Sequence, residues 1–204
     1  MKQFSTVHGR AVVFPRPNID TDVIIRIERL MNIPREQLGR YAFEALRFDA
    51  NGELQSDCVF NDPQNEAASV LIAGENFGCG SSREGAVWAL ESMGFRCVIA
   101  ESFGDIFYNN CLQNGLLPIT LGTNAIAALV ADANVRHPVF VDLRSQSVAA
   151  ADHEFHFDID RLKRDALLAG LDDIASTLRH EAAIAAWQDA DQQHRPWVWG
   201  TSDM

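Results

Sequence analysis

"GENFGCGSSREG", residues 74–85, packs four glycines, two adjacent serines, a cysteine and an arginine between two apolar stretches. Ahead of it "SVLIAG" (69–74) reads as a short buried strand. Behind it "REGAVWALESMG" (83–94) spaces Ala86, Trp88, Ala89 and Leu90 as a helix does, up to a stop at Gly94. A strand that ends in glycines and feeds a helix beginning near Ser82 or Arg83 gathers main-chain N–H groups and the positive end of a helix dipole at one spot. The glycines let the main chain take positive φ and come close to a ligand. The segment therefore reads as a small anion pocket.

The pattern continues downstream. "FRCVIAES" (95–102) is a strand, "GDIFYNNCLQNG" (104–115) a helix ending at Gly115, and "LLPITL" (116–121) a further strand. Strand, helix, strand, helix, strand in this order predicts parallel strands with crossover helices, so the middle of the chain is α/β. Upstream, "GRAVVFP" (9–15) predicts the first strand, closed by Pro15 and Pro17, which cannot donate to a sheet ladder. The loop "RPNIDTD" (16–22) and the apolar run "VIIRIERLMNI" (23–33) follow. Residues 34–48 read as one or two short helices and residues 49–67 as a loop. Beyond Thr123 come an Ala-rich helix, "PVFVDLRSQSVAA" (138–150), and "HEFHFDI" (153–159), which alternates as a half-buried strand. Two helical stretches (160–178 and 180–194) and a tail, "RPWVWGTSDM", whose two tryptophans need a surface, complete the chain.

Composition narrows the functions open to such a fold. The chain has 204 residues, 47% of them hydrophobic, and a formal charge of -11, with no basic cluster of the kind a nucleic-acid partner requires. Lys2 and Lys163 are its only lysines; the remaining cations are arginines, suited to gripping carboxylates through two parallel hydrogen bonds. The longest apolar run, Ala125 to Ala131, falls far short of the roughly 20 residues that span a bilayer. The opening "MKQFSTVHGR" has no apolar stretch of signal-peptide length. A cytoplasmic protein without a membrane partner is expected. Cys58, Cys79, Cys97 and Cys111 form no C-x-x-C pair and fit no zinc or ferredoxin spacing, so reduced thiols are expected, with Cys97 and Cys111 in the core. His153 and His156 face opposite sides of their strand and make poor joint metal ligands.

The anion pocket is not a phosphate loop, because no Gly-Lys-Ser/Thr closes it, and its glycines do not take the G-x-G-x-x-G spacing. A G-x-S-x-G elbow is also missing. What remains is Arg83, able to fork onto a carboxylate, beside serines set among amide donors. Ser81 acts as a base only if its alkoxide is stabilised, and dipoles together with an arginine charge are the means available. On the pattern alone, Ser81 or Ser82 serves equally well as a cap for the helix that follows.

The string "ENFGCGSSRE" resembles the G-S-S-R-E signature of the aconitase superfamily, in particular its small subunits of bacterial 3-isopropylmalate dehydratase. The resemblance extends through "NIDTDVII", "FGDIFYNNCLQNGLLPI" and "GLDDIASTLRHEAAI", covering about residues 8 to 187. It implies a swivelling β/β/α domain like the fourth domain of aconitase, over residues 1–178, with a C-terminal helix and tail (179–204) packed on it or on a partner. It also implies a large partner subunit that carries a [4Fe–4S] cluster, with no metal held by this chain. The activity implied is dehydration of a small hydroxy-dicarboxylic acid and rehydration at the neighbouring carbon, with isopropylmalate ahead of citraconate, dimethylmaleate or homoaconitate-type acids. A non-enzymatic anion-binding partner protein with the same fold is the rival from another class. Matched residue by residue, Ser81 is the base, while Arg83, Arg16 and Ser82 bind substrate. The stretch containing Arg26, Arg29 and Leu30 resembles the region that shapes substrate choice. Gly85, where the family often has histidine, and Arg26, where it often has proline, depart from the pattern, and arginines at 26 or 29 suit a more polar substrate or acids of the partner.

Overall fold

The computed structural model describes residues 1–200. Its strands are β1 (Thr6–Gly9), β2 (Ala11–Phe14), β3 (Val70–Ala73), β4 (Cys97–Ala100), β5 (Leu117–Thr120), β6 (Val139–Asp142), β7 (Ser147–Ala150) and β8 (His153–His156). The helices in the first half are α1 (Thr21–Ile24), α2 (Ile27–Asn32), α3 (Glu44–Arg47) and α4 (Glu84–Ser92). Those in the second half are α5 (Asp105–Asn114), α6 (Thr123–Asn134), α7 (Arg161–Ala169), α8 (Asp173–Leu178) and α9 (Glu181–His194). A 3-10 helix, Arg35–Arg40, lies between α2 and α3.

The strands form two sheets. One is parallel, in the order β2-β3-β4-β5, and the other antiparallel, in the order β1-β6-β7-β8. β3 and β4 are buried along their whole length, which is why their sequences run apolar without a polar alternation. Their two faces serve different layers. Leu71, Ala73, Val98 and Ala100 turn to a core completed by Leu90 of α4 and Phe107 of α5. Val70, Ile72, Cys97 and Ile99 turn to a second core completed by Val139, Val141 and Val148 of the antiparallel sheet and Leu129 of α6. Sheet, sheet and helices thus stack as the expected β/β/α arrangement.

The strand expected over "GRAVVFP" is β2, and a further strand that the sequence reading did not separate, β1, precedes it in the other sheet. β1 pairs antiparallel with β6 (Thr6↔Asp142) and β2 parallel with β3 (Ala11↔Val70). The crossing is made at Arg10, whose carbonyl accepts from the N–H groups of Ser69 (3.2 Å) and Val70 (3.3 Å). Only Arg10 separates the two strands, so no loop in the sequence marks the switch.

At the other end of the chain, α9 has no buried residue. Trp199 finds the expected surface on this helix, donating Nε1–H to Asp191 (2.8 Å), whereas Trp197 remains 75% exposed. Thr201 to Met204 lie outside the described residues. Among the described residues, no helix is long and apolar enough to cross a membrane.

Helix α4, which carries the serine segment into the fold, is braced by the 3-10 helix. Gly39 donates its N–H to Ser92 Oγ (2.9 Å), and Ser92 Oγ donates to the Glu36 carbonyl (2.7 Å). A β-carbon at Gly39 would lie 2.6 Å from the main-chain carbon of Ser92, a group with no freedom to yield. Gly39→Ala is therefore expected to lower unfolding stability by about 1–3 kcal/mol. In urea the midpoint falls while the slope stays constant; an unchanged midpoint excludes this contact as a constraint.

Candidate active site

Residues 74–83 leave the carboxyl end of β3, between the segments that leave β2 and β4, at the end of a parallel sheet where ligands of open α/β folds bind. Both neighbours hold the turn by its main chain. From the β2 side, Asn18 N–H donates to the Glu75 carbonyl (2.8 Å), Gly78 N–H to the Ile19 carbonyl (2.7 Å) and Thr21 N–H to the Cys79 carbonyl (3.0 Å). From the β4 side, Asn76 N–H donates to Ser102 Oγ (2.8 Å) and Phe77 N–H to the Ser102 carbonyl (3.0 Å). The glycines at 78 and 80 have φ of +72° and +86°, a region in which a side chain would be strained. The sequence needs them so that the turn can close onto both neighbours.

Ser81 and Ser82 sit exposed at the tip. α4 starts at Glu84, and the N-cap position belongs to Arg83, with no side chain capping the helix. The serines thus do not play the capping role that the pattern allowed. Arg83, with 17% of its side chain exposed, pairs through Nη1 with Asp22 Oδ1, an acid that is 52% exposed. Of the two aspartates in "NIDTD", Asp20 makes the N-cap of α1, accepting from Val23 N–H (2.8 Å). Asp22 instead faces the arginine. The spacing of Asp22 from Asp20 in the sequence gives no hint of this ion pair. The first turn of α4 is fixed from behind by Asn114, a buried amide whose Nδ2 donates to Glu84 Oε1 (2.8 Å).

The remaining residues singled out in the sequence fall in three places. Arg16 is exposed and lines a cavity of about 420 Å³ with Leu46, Gln55 and Cys58, which includes neither Ser81 nor Arg83. Arg26 is exposed and lies 3.6 Å from Glu28. Arg29 is engaged within the chain, where Nε donates to Glu44 Oε2 (2.9 Å), Nη2 pairs with Glu44 Oε1, and the guanidinium lies 4.4 Å above the Tyr41 ring. Leu30 packs over Gly85, where a β-carbon would come within 2.4 Å of a leucine methyl. This complementarity accounts for the departure at 85, because Leu30 fills the space that a side chain there would take. It also docks α2 directly on the first turn of α4.

Ionisation separates the cysteines. Burial pushes the thiols of Cys97 and Cys111 far up, so they stay protonated, while Cys58 and Cys79 are partly exposed. Among the described residues, no three His, Cys, Asp or Glu side chains converge as metal ligands. A cavity of about 870 Å³ runs between Arg35, Glu84, Trp88, Asn114 and Asp173 and contains neither Ser81 nor Arg83. The serine tip lies open to solvent.

Comparison with known proteins gives consistent results along the chain. Residues 1–124 match the Aconitase C-terminal domain family, and residues 173–201 match the C-terminal domain of the 3-isopropylmalate dehydratase small subunit. A 3-isopropylmalate dehydratase small subunit of Roseobacter denitrificans is 45% identical over 203 residues, covering 97% of this chain and 100% of the relative. One from a Jannaschia species is 46% identical over 201 residues with the same coverage. The crystal structure of a 3-isopropylmalate dehydratase from Methanocaldococcus jannaschii superposes with a TM-score of 0.66 at 27% identity, covering 89% of this chain and 98% of that one.

The Arg29–Glu44 fork makes stability depend on acidity. The hydrogen bond from Arg29 holds the Glu44 carboxyl below its usual range. Folding therefore favours the ionised form, so the contribution is complete above the unfolded value of about 4.3 and fades as pH falls through the lower folded value. Glu44→Gln is expected to be less stable than the parent at neutral pH and to approach it near about pH 3. Denaturant curves at both pH values check this; a stability gap that does not change with pH excludes the fork as its source.

Proposed function

The chain belongs to the family of 3-isopropylmalate dehydratase small subunits, and we propose that within it Ser81 is the base and Arg83 the carboxylate grip of an active site completed by a large subunit. The reaction is that of a hydro-lyase in leucine biosynthesis, converting 2-isopropylmalate to 3-isopropylmalate by loss and re-addition of water. The observation that carries the assignment of roles is the geometry at 81–83. An exposed hydroxyl stands at the tip of a rigid turn, and two residues along is a guanidinium already holding a carboxylate. A substrate carboxylate takes the place of Asp22, whose exposed position lets it yield.

Ser81, as alkoxide, removes the proton from the carbon beside the one bearing the hydroxyl. On rehydration it returns a proton to the carbon that had carried the hydroxyl. Nearby main-chain N–H groups, the N-terminal end of α4 and the charge of Arg83 favour the alkoxide over the alcohol. Ser82 and Arg16 are the further substrate contacts on this reading, with Arg16 brought to the ligand when the partner closes the cleft. Among the described residues no three His, Cys, Asp or Glu side chains converge to hold a metal, and the reading places the [4Fe–4S] group, with the Lewis acidity it supplies, on the large subunit.

Substrate choice falls to α2, held against the first turn of α4 by the Leu30–Gly85 contact. Arg29 is tied to Glu44, so its charge does not call for a more polar substrate. Ile27 and Met31, 45% and 79% exposed, offer apolar contact to a branched alkyl group. Residues 1–178 act as the swivelling domain, and the C-terminal part of the chain from residue 179 packs on it or on the partner, in the cytoplasm.

Reconstitution with the large subunit tests the assignment. The isolated chain is expected to be colourless and without turnover, and the complex brown and active; stoichiometric iron on the isolated chain would overturn this division. In the complex, Ser81→Ala is expected to abolish turnover without disturbing assembly. Arg83→Lys is expected mainly to raise KM, by replacing a two-pronged contact with a point charge. Parental kinetics in either variant would remove that residue from its role.

A further inference from the structure

We propose that Thr21 is a positioning residue for Ser81, its hydroxyl setting the direction in which the serine side chain leaves the main chain. The inference rests on the reading of Ser81 as the base and extends it to a residue that never touches substrate.

Thr21 is 1% exposed, in a chain with few buried polar side chains. A hydroxyl removed from water in this way is costly unless it has a hydrogen-bond partner. Its partner is the main-chain carbonyl of Ser81, at 2.9 Å. The N–H of the same residue donates to the Cys79 carbonyl at 3.0 Å. One buried residue therefore grips the turn at two carbonyls, on either side of Gly80. Gly80 itself, at φ +86°, has no side chain to restrain it. Fixing the carbonyls before and after it fixes the orientation of the Ser81 peptide unit, and with it the bond from Cα to Cβ. Asp20 and Asp22 flank this clamp with separate tasks, one capping α1 and the other pairing with Arg83. The clamp is the contact from this segment that reaches Ser81 itself.

Proton abstraction requires the base within hydrogen-bond reach of the proton, and a displacement of about 1 Å costs on the order of 100-fold in rate. In the reconstituted enzyme Thr21→Val, which keeps the shape and loses the hydroxyl, is expected to lower kcat by about 10- to 100-fold with KM within about twofold. Thr21→Ser, which restores the donor, is expected to recover most of that loss. A second readout separates misplacement from partial unfolding. With 3-isopropylmalate deuterated at the carbon that loses its proton, the isotope effect on kcat rises in Thr21→Val, because proton transfer becomes more rate-limiting. Loss of folded enzyme scales the rate and leaves the isotope effect unchanged.

Parental kcat and isotope effect in Thr21→Val, in a preparation where Ser81→Ala is inactive, would overturn the proposal and leave the Ser81 assignment standing. Turnover by Ser81→Ala at the parental rate would instead remove the assignment on which the proposal rests. A Thr21→Ser enzyme as slow as Thr21→Val would overturn it as well, since packing of the methyl group and not the hydroxyl would then matter. Should Thr21→Val fail to assemble, Thr21→Ala against Thr21→Ser gives the same comparison, and equal isotope effects in the two overturn the proposal.

Discussion

The main-chain hydrogen bonds that seize residues 75–81 from both sides are what the rest of the molecule depends on. A turn with two glycines in the left-handed region has little stiffness of its own, yet chemistry on a carbon acid tolerates little freedom in its base. The parallel sheet resolves this by delivering three chain segments to one edge. Those leaving β2 and β4 supply Asn18, Ile19, Thr21 and Ser102 as partners for the one leaving β3. The apolar layers on either face of β3 and β4 hold those strands in register. The helix that follows is then braced at its start by Asn114 and near its end by Gly39 and Ser92. Rigidity in the core becomes precision at an exposed tip.

Charge in this chain is organised around its arginines. Arg29 forks onto Glu44, Arg35 pairs with Glu91 at 2.6 Å and lies 5.0 Å over the ring of Trp88, and Arg83 pairs with Asp22. Arg47 is held differently: burial pushes its pKa down, and its guanidinium is held by neutral acceptors, the carbonyl of Gly39 (3.0 Å) and Asn61 Oδ1 (3.0 Å). Planar guanidinium groups suit these forked and stacked contacts in a way that lysine does not. Most of these pairs tie elements together. Arg83 differs in that its acid is the more exposed partner, which makes it the pair a competing carboxylate can enter.

Much of this was legible in the sequence, and for physical reasons. The continuous apolar runs of β3 and β4, with Gly94 and Gly115 closing helices at φ of +102° and +91°, announce parallel strands and crossovers. The glycine segment announces a close approach of main chain at a strand end. Three things were hidden. The change of sheet at Arg10 occurs at a single residue, with no loop to announce it. The Thr21–Ser81 and Asp22–Arg83 contacts join segments some sixty residues apart and follow from the order of strands rather than from any local pattern. The fit of Leu30 over Gly85 is one of volume, and a glycine in a helix does not state what fills the space above it.

The passage of the chain through Arg10 from one sheet to the other also sets an order of assembly. β2 through β5, with their crossover helices, pair over spans much shorter than the one β1 must close, so this half can form while the chain is still being made. β1 waits, because its partner β6 lies more than a hundred residues further on, and closing so long a span carries an entropic cost that nearer contacts avoid. The N-terminal strand is thus first to be synthesised and among the last to be satisfied. Until residues 139–156 emerge, its open edge and the bare apolar face of the parallel sheet are what a nascent chain must keep from its neighbours.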